Sequence, residues 1–522
     1  MSRATQTALV RDDRTAYEAA AGGAVGLAGV AFGVGLAALL DVVAIGDPVA
    51  GVELSVAFGA VLLVLGASVV GFGAASRLEY VDTAPQPSAG LVATTAFTGV
   101  WLAVGAAVAG ALGLDAAGRV GVAAALGGAA FAATALPRED VGSTVPAGAV
   151  TGLCGLALVT GVVGPGWERA LVDYNATLFG DTVVPVVVLF ASLVSGWSAA
   201  KAYGGFGARG RNVGAYVLIY LVVGSILSVL VGLVAFVTVK GLPGLFNGFG
   251  VGGGSLIRWP FLTNGAGLLA DVAGVFPALV GTVWLVVGAV LFAVPTGVGA
   301  AVFLSEYAEQ GRFTGAVEVA TNGLWSTPSI VFGLFGAAFL IPRFGNQKSL
   351  IAGMLTLGFM LLPLVLITSR EAILAVPDEY RDASAALGVS KWQTIRSVVL
   401  PAAIPGITTG VILGVGRIAG ETAPILLTTG GGVLPGKSAA PAVMSGFRLS
   451  WSPPFVSNPA LLEATSALPY QLYALITAGL SGNIQDPQEF AWGLALTLLL
   501  VVMAFYAVGI ATRYYFRRKL NQ

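Results

Sequence analysis

The chain has no histidine, a single cysteine, and charged residues at only 10% of its 522 positions. Without histidine it lacks the commonest catalytic base and metal ligand. One cysteine excludes an internal disulfide and a cysteine-ligated metal site; Cys154 lies in an apolar stretch and reads as packing. Charge at this level is under half the roughly 25% of a soluble domain. Formal net charge is zero, so nothing points to a nucleic-acid partner. What is abundant is hydrocarbon and glycine: 56% hydrophobic residues and 74 glycines, with a mean hydropathy of +0.88. Such a chain cannot cover a water-facing surface. It reads as an all-α polytopic membrane protein, with no cofactor expected.

A membrane-spanning helix needs about 20 apolar residues. Twelve stretches qualify, near 21–45, 53–74, 90–112, 118–136, 145–163, 182–199, 213–239, 275–304, 320–341, 350–368, 402–427 and 491–512. Glycine within them allows close helix approach. The first twenty residues are polar and hold no signal-peptide core. Placing them in the cytoplasm puts 17 of the 26 lysines and arginines on the inner side, including Arg77, Arg138, Lys201, Arg209, Arg211, Arg312, Arg370, Arg381 and Arg396. That excess follows the positive-inside rule, so both termini are expected to be cytoplasmic. The basic stretch Lys201–Asn212 reads as a seam between two six-helix halves, 1–205 and 206–522. The first half carries almost no polar residue inside its spans, so transport chemistry is expected in the second.

Two short motifs are weak. Gly431–Ser438 (GGVLPGKS) formally matches a phosphate loop, but an apolar span precedes it and Pro441 follows, so no strand-turn-helix cradle is expected. Asn175-Ala176-Thr177 is the one glycosylation sequon, in an expected outer loop.

The segment 370–401 is more informative. Pro377 and Asp378 open a short helix with acidic residues in its first turn, and Gly388 closes it. Ser390 and Gln393 form a capping box for a second helix, on which Trp392, Ile395 and Val399 share one face. Alanine and serine give the first helix a small-sided knob that suits a groove on another protein; a solvated interfacial helix fits as well. The stretch Asp382-Ala383-Ser384, then Gly388, then Val398-x-Leu400-Pro401 resembles the EAA loop of ABC-importer permeases. It departs from that pattern at Asp382, Ser384 and Val398. The resemblance implies that this loop docks on a cytoplasmic ATPase.

Inside the next span lie Arg417 and Glu421, four residues apart and expected on one helix face. Lone charges at that depth cost at least about 2.5–3.5 kcal/mol each and are usually functional. Two readings fit: a salt bridge locking helices, or a guanidinium offered to a passing oxyanion and steadied by the carboxylate. A second polar cluster, Asn322–Ser329, offers Ser326 or Thr327 as the cap of a helix begun by Pro328. It is either a kink or an anion site at a helix N-terminus.

Gly420-Glu421-Thr422-Ala423-Pro424 after Arg417, the run Thr327–Gly333 and Pro277–Thr282 together resemble the PstA-type permeases of phosphate ABC importers, over about residues 210–522. The resemblance implies a C-terminal six-helix, MetI-like permease core. It implies a sister permease, a dimeric ATPase, an extracytoplasmic phosphate-binding protein and a prokaryotic cell membrane. It also implies that no bond is made or broken by this chain. On that reading Arg417, Glu421, Thr422, Thr327 and Ser329 line the substrate path. Asp382, Ala383, Ser384, Gly388, Leu400 and Pro401 couple to the ATPase. Permeases for sulfate, molybdate or phosphonate, and an ion-driven secondary transporter, are the competing readings. Nothing resembles residues 1–210.

Overall fold

The computed structural model describes residues 16–520 apart from 50, 172–175, 251–257, 266–273, 310, 431–439, 453–454 and 478–485. The sequon asparagine Asn175 and the loop Gly431–Ser438 therefore lie outside the described residues. Two compact units emerge, Met1–Leu233 and Val234–Gln522. Among the described residues eleven helices are long and apolar enough to cross a membrane, or twelve if one bent pair counts as a span.

The first unit contains α1 (Ala16–Leu39), α2 (Leu54–Arg77), α3 (Leu91–Ala111), α4 (Ala116–Ala135), α5 (Glu139–Val159) and α6 (Gly180–Tyr203), with the first part of α7 (Gly207–Leu245). It is built from helix pairs: α1 on α6, α2 on α5, and α3 on α4. Glycine at heptad spacing decides the α2–α5 contact. A Cβ on Gly66 would sit 2.7 Å from the carbonyl oxygen of Gly148, and one on Gly155 2.7 Å from that of Gly59. The two backbones touch directly, which lipid-embedded helices achieve only with small residues. Leu62, Leu65 and Val69 of α2 are buried in the same cluster as Val184, Val188 and Ala191 of α6. Cys154 packs at its edge.

At one end of this unit the sequence reading is incomplete, for a charged cluster lies fully buried there. Lys201 Nζ is 2.8 Å from Glu139 Oε1, and the two side chains are 1% and 0% exposed. The other Glu139 oxygen accepts from the backbone N–H of Gln86 (3.1 Å) and of Gly207 (3.0 Å). Next to it, Asp140 Oδ2 accepts from Ser76 Oγ (3.0 Å) and faces Arg138 at 3.3 Å. One carboxylate thus binds together the start of α5, the end of α6, the start of α7 and the α2–α3 connection. Lys201–Asn212 folds back within this unit: a Cβ on Gly210 would lie 2.6 Å from the Lys201 carbonyl oxygen.

The second unit contains the rest of α7, a single turn α8 (Pro260–Thr263), α9 (Phe276–Val302), α10 (Arg312–Ser326), α11 (Ser329–Phe335), α12 (Leu350–Leu374), α13 (Asp378–Ala386), α14 (Lys391–Thr394), α15 (Leu400–Ala419), a short α16 (Ala423–Ile425), α17 (Leu468–Thr477) and α18 (Pro487–Leu520). Leu285, Ala289 and Ala293 of α9 are buried with Leu357, Leu361 and Val365 of α12. In turn α15 packs on α12 and α18 on α15. Among the described residues three two-stranded antiparallel ribbons occupy connections, the longest pairing Glu168–Leu171 with Ala176–Phe179 in the first unit.

The span expected at 320–341 is broken: α10 and α11 meet at 103°. Pro328 supplies no N–H, and its ring pushes Thr327 out of the helical region, to φ −68°, ψ 132°. The expected cap is also corrected. Pro328 takes the N-cap position of α11 without a side-chain hydrogen bond, while the hydroxyls of Ser326 and Thr327 donate backwards to the Gly323 carbonyl at 3.0 and 2.8 Å.

Removing the Glu139 charge isolates a buried ammonium. Glu139→Gln is expected to destabilise the full-length protein by about 3–5 kcal/mol, and Glu139→Gln with Lys201→Met to recover much of that loss. Thermal unfolding in detergent, followed by tryptophan fluorescence, checks both; a double variant no more stable than the single would contradict the pairing.

Candidate functional site

The sequence picked out two groups of residues, and both fall at helix breaks. The first surrounds Arg417. Its helix, α15, ends at Ala419, and Gly420 and Glu421 hydrogen-bond back to the Arg417 and Ile418 carbonyls before α16 begins. Glu421 therefore lies past the helix end, not on a shared helical face as the spacing suggested. The reason is local: Pro424 cannot continue the ladder, and Gly420 allows the chain to turn. Arg417 Nε stands 3.9 Å from Glu421 Oε1, with side chains 36% and 18% exposed. That is an ion pair without a hydrogen bond. The guanidinium carbon instead lies over the Trp325 ring, 4.4 Å from its centroid.

Trp325 comes from the last turn of α10, directly before the bend. Sequence reading did not single it out, although its place beside Thr327 in a polar run was a usable signal. Thr327 and Ser329 flank the same bend and are half-buried. Beyond it, α11 packs on α16, the stretch that begins after Thr422. The structure so brings Arg417 and Glu421 together with Trp325, and places Thr327 and Ser329 on the adjoining element. The turn after Pro424 is pinned from outside by Lys348 Nζ, which donates to the Leu426 carbonyl at 2.8 Å. Burial lowers the pKa of that ammonium below its ordinary range.

On α10 two turns before Trp325, Glu318 pairs with Arg370 of α12 at 2.6 Å. Thr321, Asn322 and Glu371 join them around a polar cavity of about 190 Å³. This pair was missed because its partners are 52 residues apart and each looks like an ordinary loop-side charge.

The second group is the loop between α12 and α15. Gly388 takes φ +74°, which ends α13. The box predicted at Ser390 is formed: Ser390 Oγ accepts from the Gln393 N–H, and the Gln393 side chain accepts from the Ser390 N–H at 3.2 Å. Past Thr394 a π-helical turn, Ile395–Val399, runs straight into α15 through Leu400 and Pro401. The expected second helix and the following span are therefore one continuous rod. The expected common face is also divided. Ile395 and Val399 are buried, whereas Trp392, one turn earlier, is 54% exposed on the rim of an apolar groove with Val298, Phe303 and Tyr307.

The knob itself presents Asp382, Ala383, Ala385 and Ala386 outward, and Leu387 is 83% exposed. Ser384, expected on the docking face, points inward and donates to the Tyr380 carbonyl at 3.0 Å. The bond is the local one that a helical serine can make to the carbonyl one turn back.

The chain is 31% identical over 278 residues to a probable ABC transporter permease protein, YqgI, of Bacillus subtilis, covering 52% of this chain and 89% of that one. It is 35% identical over 250 residues to the phosphate transport system permease protein PstA 1 of Mycobacterium tuberculosis (47% and 72% covered). It is 32% identical over 251 residues to the corresponding PstA of Haemophilus influenzae (48% and 78%). Inward-facing MetNI, a methionine ABC transporter, overlaps 47% of this chain and 94% of its own at 18% identity, with a TM-score of 0.34. Residues 202–522 match a family of membrane proteins as a whole, and through them the chain belongs to the binding-protein-dependent transport system inner membrane components.

Proposed function

We propose that this chain is the permease subunit of an ATP-driven phosphate importer, and that Arg417 is the group the anion meets. The observation that carries the reading is the loose Arg417–Glu421 pair at a helix end, 3.9 Å apart, with the guanidinium over the Trp325 ring and still 36% exposed. A tight, buried pair holds a fold together. A loose one leaves donors free for a planar, bidentate contact to an oxyanion. The phosphate transport permeases among its relatives supply the substrate class.

The roles follow from the chemistry. Arg417 donates to phosphate oxygens while Trp325 fixes the plane of the guanidinium. Glu421 accepts the hydrogen bond of a protonated oxyanion, which hydrogen phosphate offers and sulfate does not. Thr422, Thr327 and Ser329 supply hydroxyls along the same break. A sister permease completes the path, an extracytoplasmic binding protein delivers the anion, and a cytoplasmic ATPase dimer seats the knob at Asp382–Gly388. The chain performs no chemistry of its own. Both termini face the cytoplasm of a prokaryotic cell, and residues 1–205 form an added membrane unit outside the 206–522 permease core.

Three substitutions test the site in cells that express the complete importer at normal level. Arg417→Ala is expected to lower labelled phosphate uptake by roughly 10–150-fold, as loss of a charged hydrogen bond requires; unchanged uptake would falsify the assignment. Trp325→Ala is expected to raise the half-saturating phosphate concentration by roughly 2–30-fold, the size of a cation–π contact of about 0.5–2 kcal/mol. Glu421→Gln is expected to narrow the preference for phosphate over sulfate in competition assays. Equal competition by sulfate, molybdate or phosphonate in the native protein would transfer the reading to another oxyanion.

A further inference from the structure

The helix that carries the knob has little to hold it. Of the nine residues of α13 only Ser384 is buried. A push on such a helix would be spent in tilting it unless something stiff joined it to the membrane helices. Arg381, from the middle of α13, is that join. Its Nη1 donates to the Val376 carbonyl (2.7 Å) and its Nη2 to the Ile373 carbonyl (3.1 Å), both at the end of α12. Its Nε and Nη2 also converge on one oxygen of Glu306, at 3.2 and 2.8 Å. Glu306 is 8% exposed and Arg381 22%.

Glu306 belongs to a π-helical turn, Phe303–Tyr307, that closes α9. The next residue, Tyr307, is gripped from the same loop: Lys391 of α14 lies over its ring, 5.0 Å from the centroid. Both contacts meet the end of α9, the helix that packs along α12. The main chain and the Arg381 bonds to Ile373 and Val376 tie α13 to the end of α12, and the chain runs on from α13 into α14. The guanidinium adds the third link, to α9, and does so with paired, largely buried, charge-assisted bonds that fix direction as well as distance. The π turn supplies a backbone that can change register at modest cost.

We propose that Arg381–Glu306 is the strut through which movement of the coupling helix reaches α9, so that α9 and α12 are displaced together. Glu306 and Arg381 are positioning residues that touch neither phosphate nor nucleotide. This inference rests on the permease reading above. It adds a specific route from the knob to the path, one that leaves Arg417 untouched.

The test uses the whole importer, co-expressed with its ATPase and sister permease, reconstituted in liposomes and supplied with binding protein. Three quantities are read: ATPase retained on purification, ATP hydrolysed, and phosphate taken up per ATP. For Glu306→Gln the expected result is an intact complex that still hydrolyses ATP, with uptake per ATP lower by about fivefold or more. Glu306→Asp is expected to restore most of it. Arg381→Ala combined with Glu306→Gln should be no worse than Arg381→Ala alone, because both remove one link. Glu306→Gln leaves the Arg381 bonds to Ile373 and Val376 in place, so it remains informative if Arg381→Ala fails to fold. Unchanged uptake per ATP overturns the strut. So does loss of the ATPase on purification, which would make the pair a support for docking. Absence of ATP-driven phosphate uptake in the unmutated complex would instead overturn the permease reading.

Discussion

A charge withdrawn from water must find its opposite, and in a chain with so few charges that requirement shapes the architecture. Glu139 meets Lys201, Glu306 meets Arg381, Glu318 meets Arg370, and Arg417 meets Glu421. Each of these pairs includes a residue at or near the end of a helix. That placement is economical, because unpaired backbone groups at helix ends already need partners. Glu139 accepts two backbone N–H groups besides its lysine, and Arg381 donates to two backbone carbonyls besides its carboxylate. The same side chain thus neutralises a charge and terminates a helix.

The hydrocarbon-facing remainder obeys a simpler rule. Backbone groups must be satisfied within the segment, which leaves helices as the unit of construction. Glycine then sets how near the helices come. In the first unit the α2–α5 backbones touch at Gly59, Gly66, Gly148 and Gly155. In the second, larger side chains such as Leu357 and Leu361 fill the α9–α12 contact. One unit is held by close backbone approach and a buried ionic knot, the other by side-chain packing interrupted by breaks and π turns.

Hydropathy made the helices legible, and local capping chemistry made the loop between α12 and α15 legible down to Gly388 and the Ser390–Gln393 box. The bend at Thr327–Pro328 was visible as a proline in a polar run, but its angle was not. Two readings failed for related reasons. Glu421 was assigned to the helix of Arg417 because spacing alone cannot show that the helix ends at Ala419. Ser384 was assigned to the knob surface because a family pattern gives residue type and not orientation. The pairs Glu318–Arg370 and Glu306–Arg381 span 52 and 75 residues. Nothing in local sequence links such partners; only the folded arrangement does so, with α10 packed on α12 and the α13 guanidinium brought to the end of α9.

The pairs differ in tightness, and the difference separates their work. Glu139–Lys201 is short and sealed from solvent, so exchanging it for any other partner would strand a charge. Glu306–Arg381 is equally short but lies at the rim, between elements that can shift, and suits the transfer of displacement. Arg417–Glu421 is a full ångström longer and half open. On the proposed path, an anion arriving there would displace no buried hydrogen bond and would leave no carboxylate stranded, since Glu421 keeps some access to water. A path through a membrane needs a binding group that can be taken up and released in each cycle, and of these pairs the loosely held guanidinium is the one that suits the proposed role. The tight pairs keep the frame from yielding while it does so.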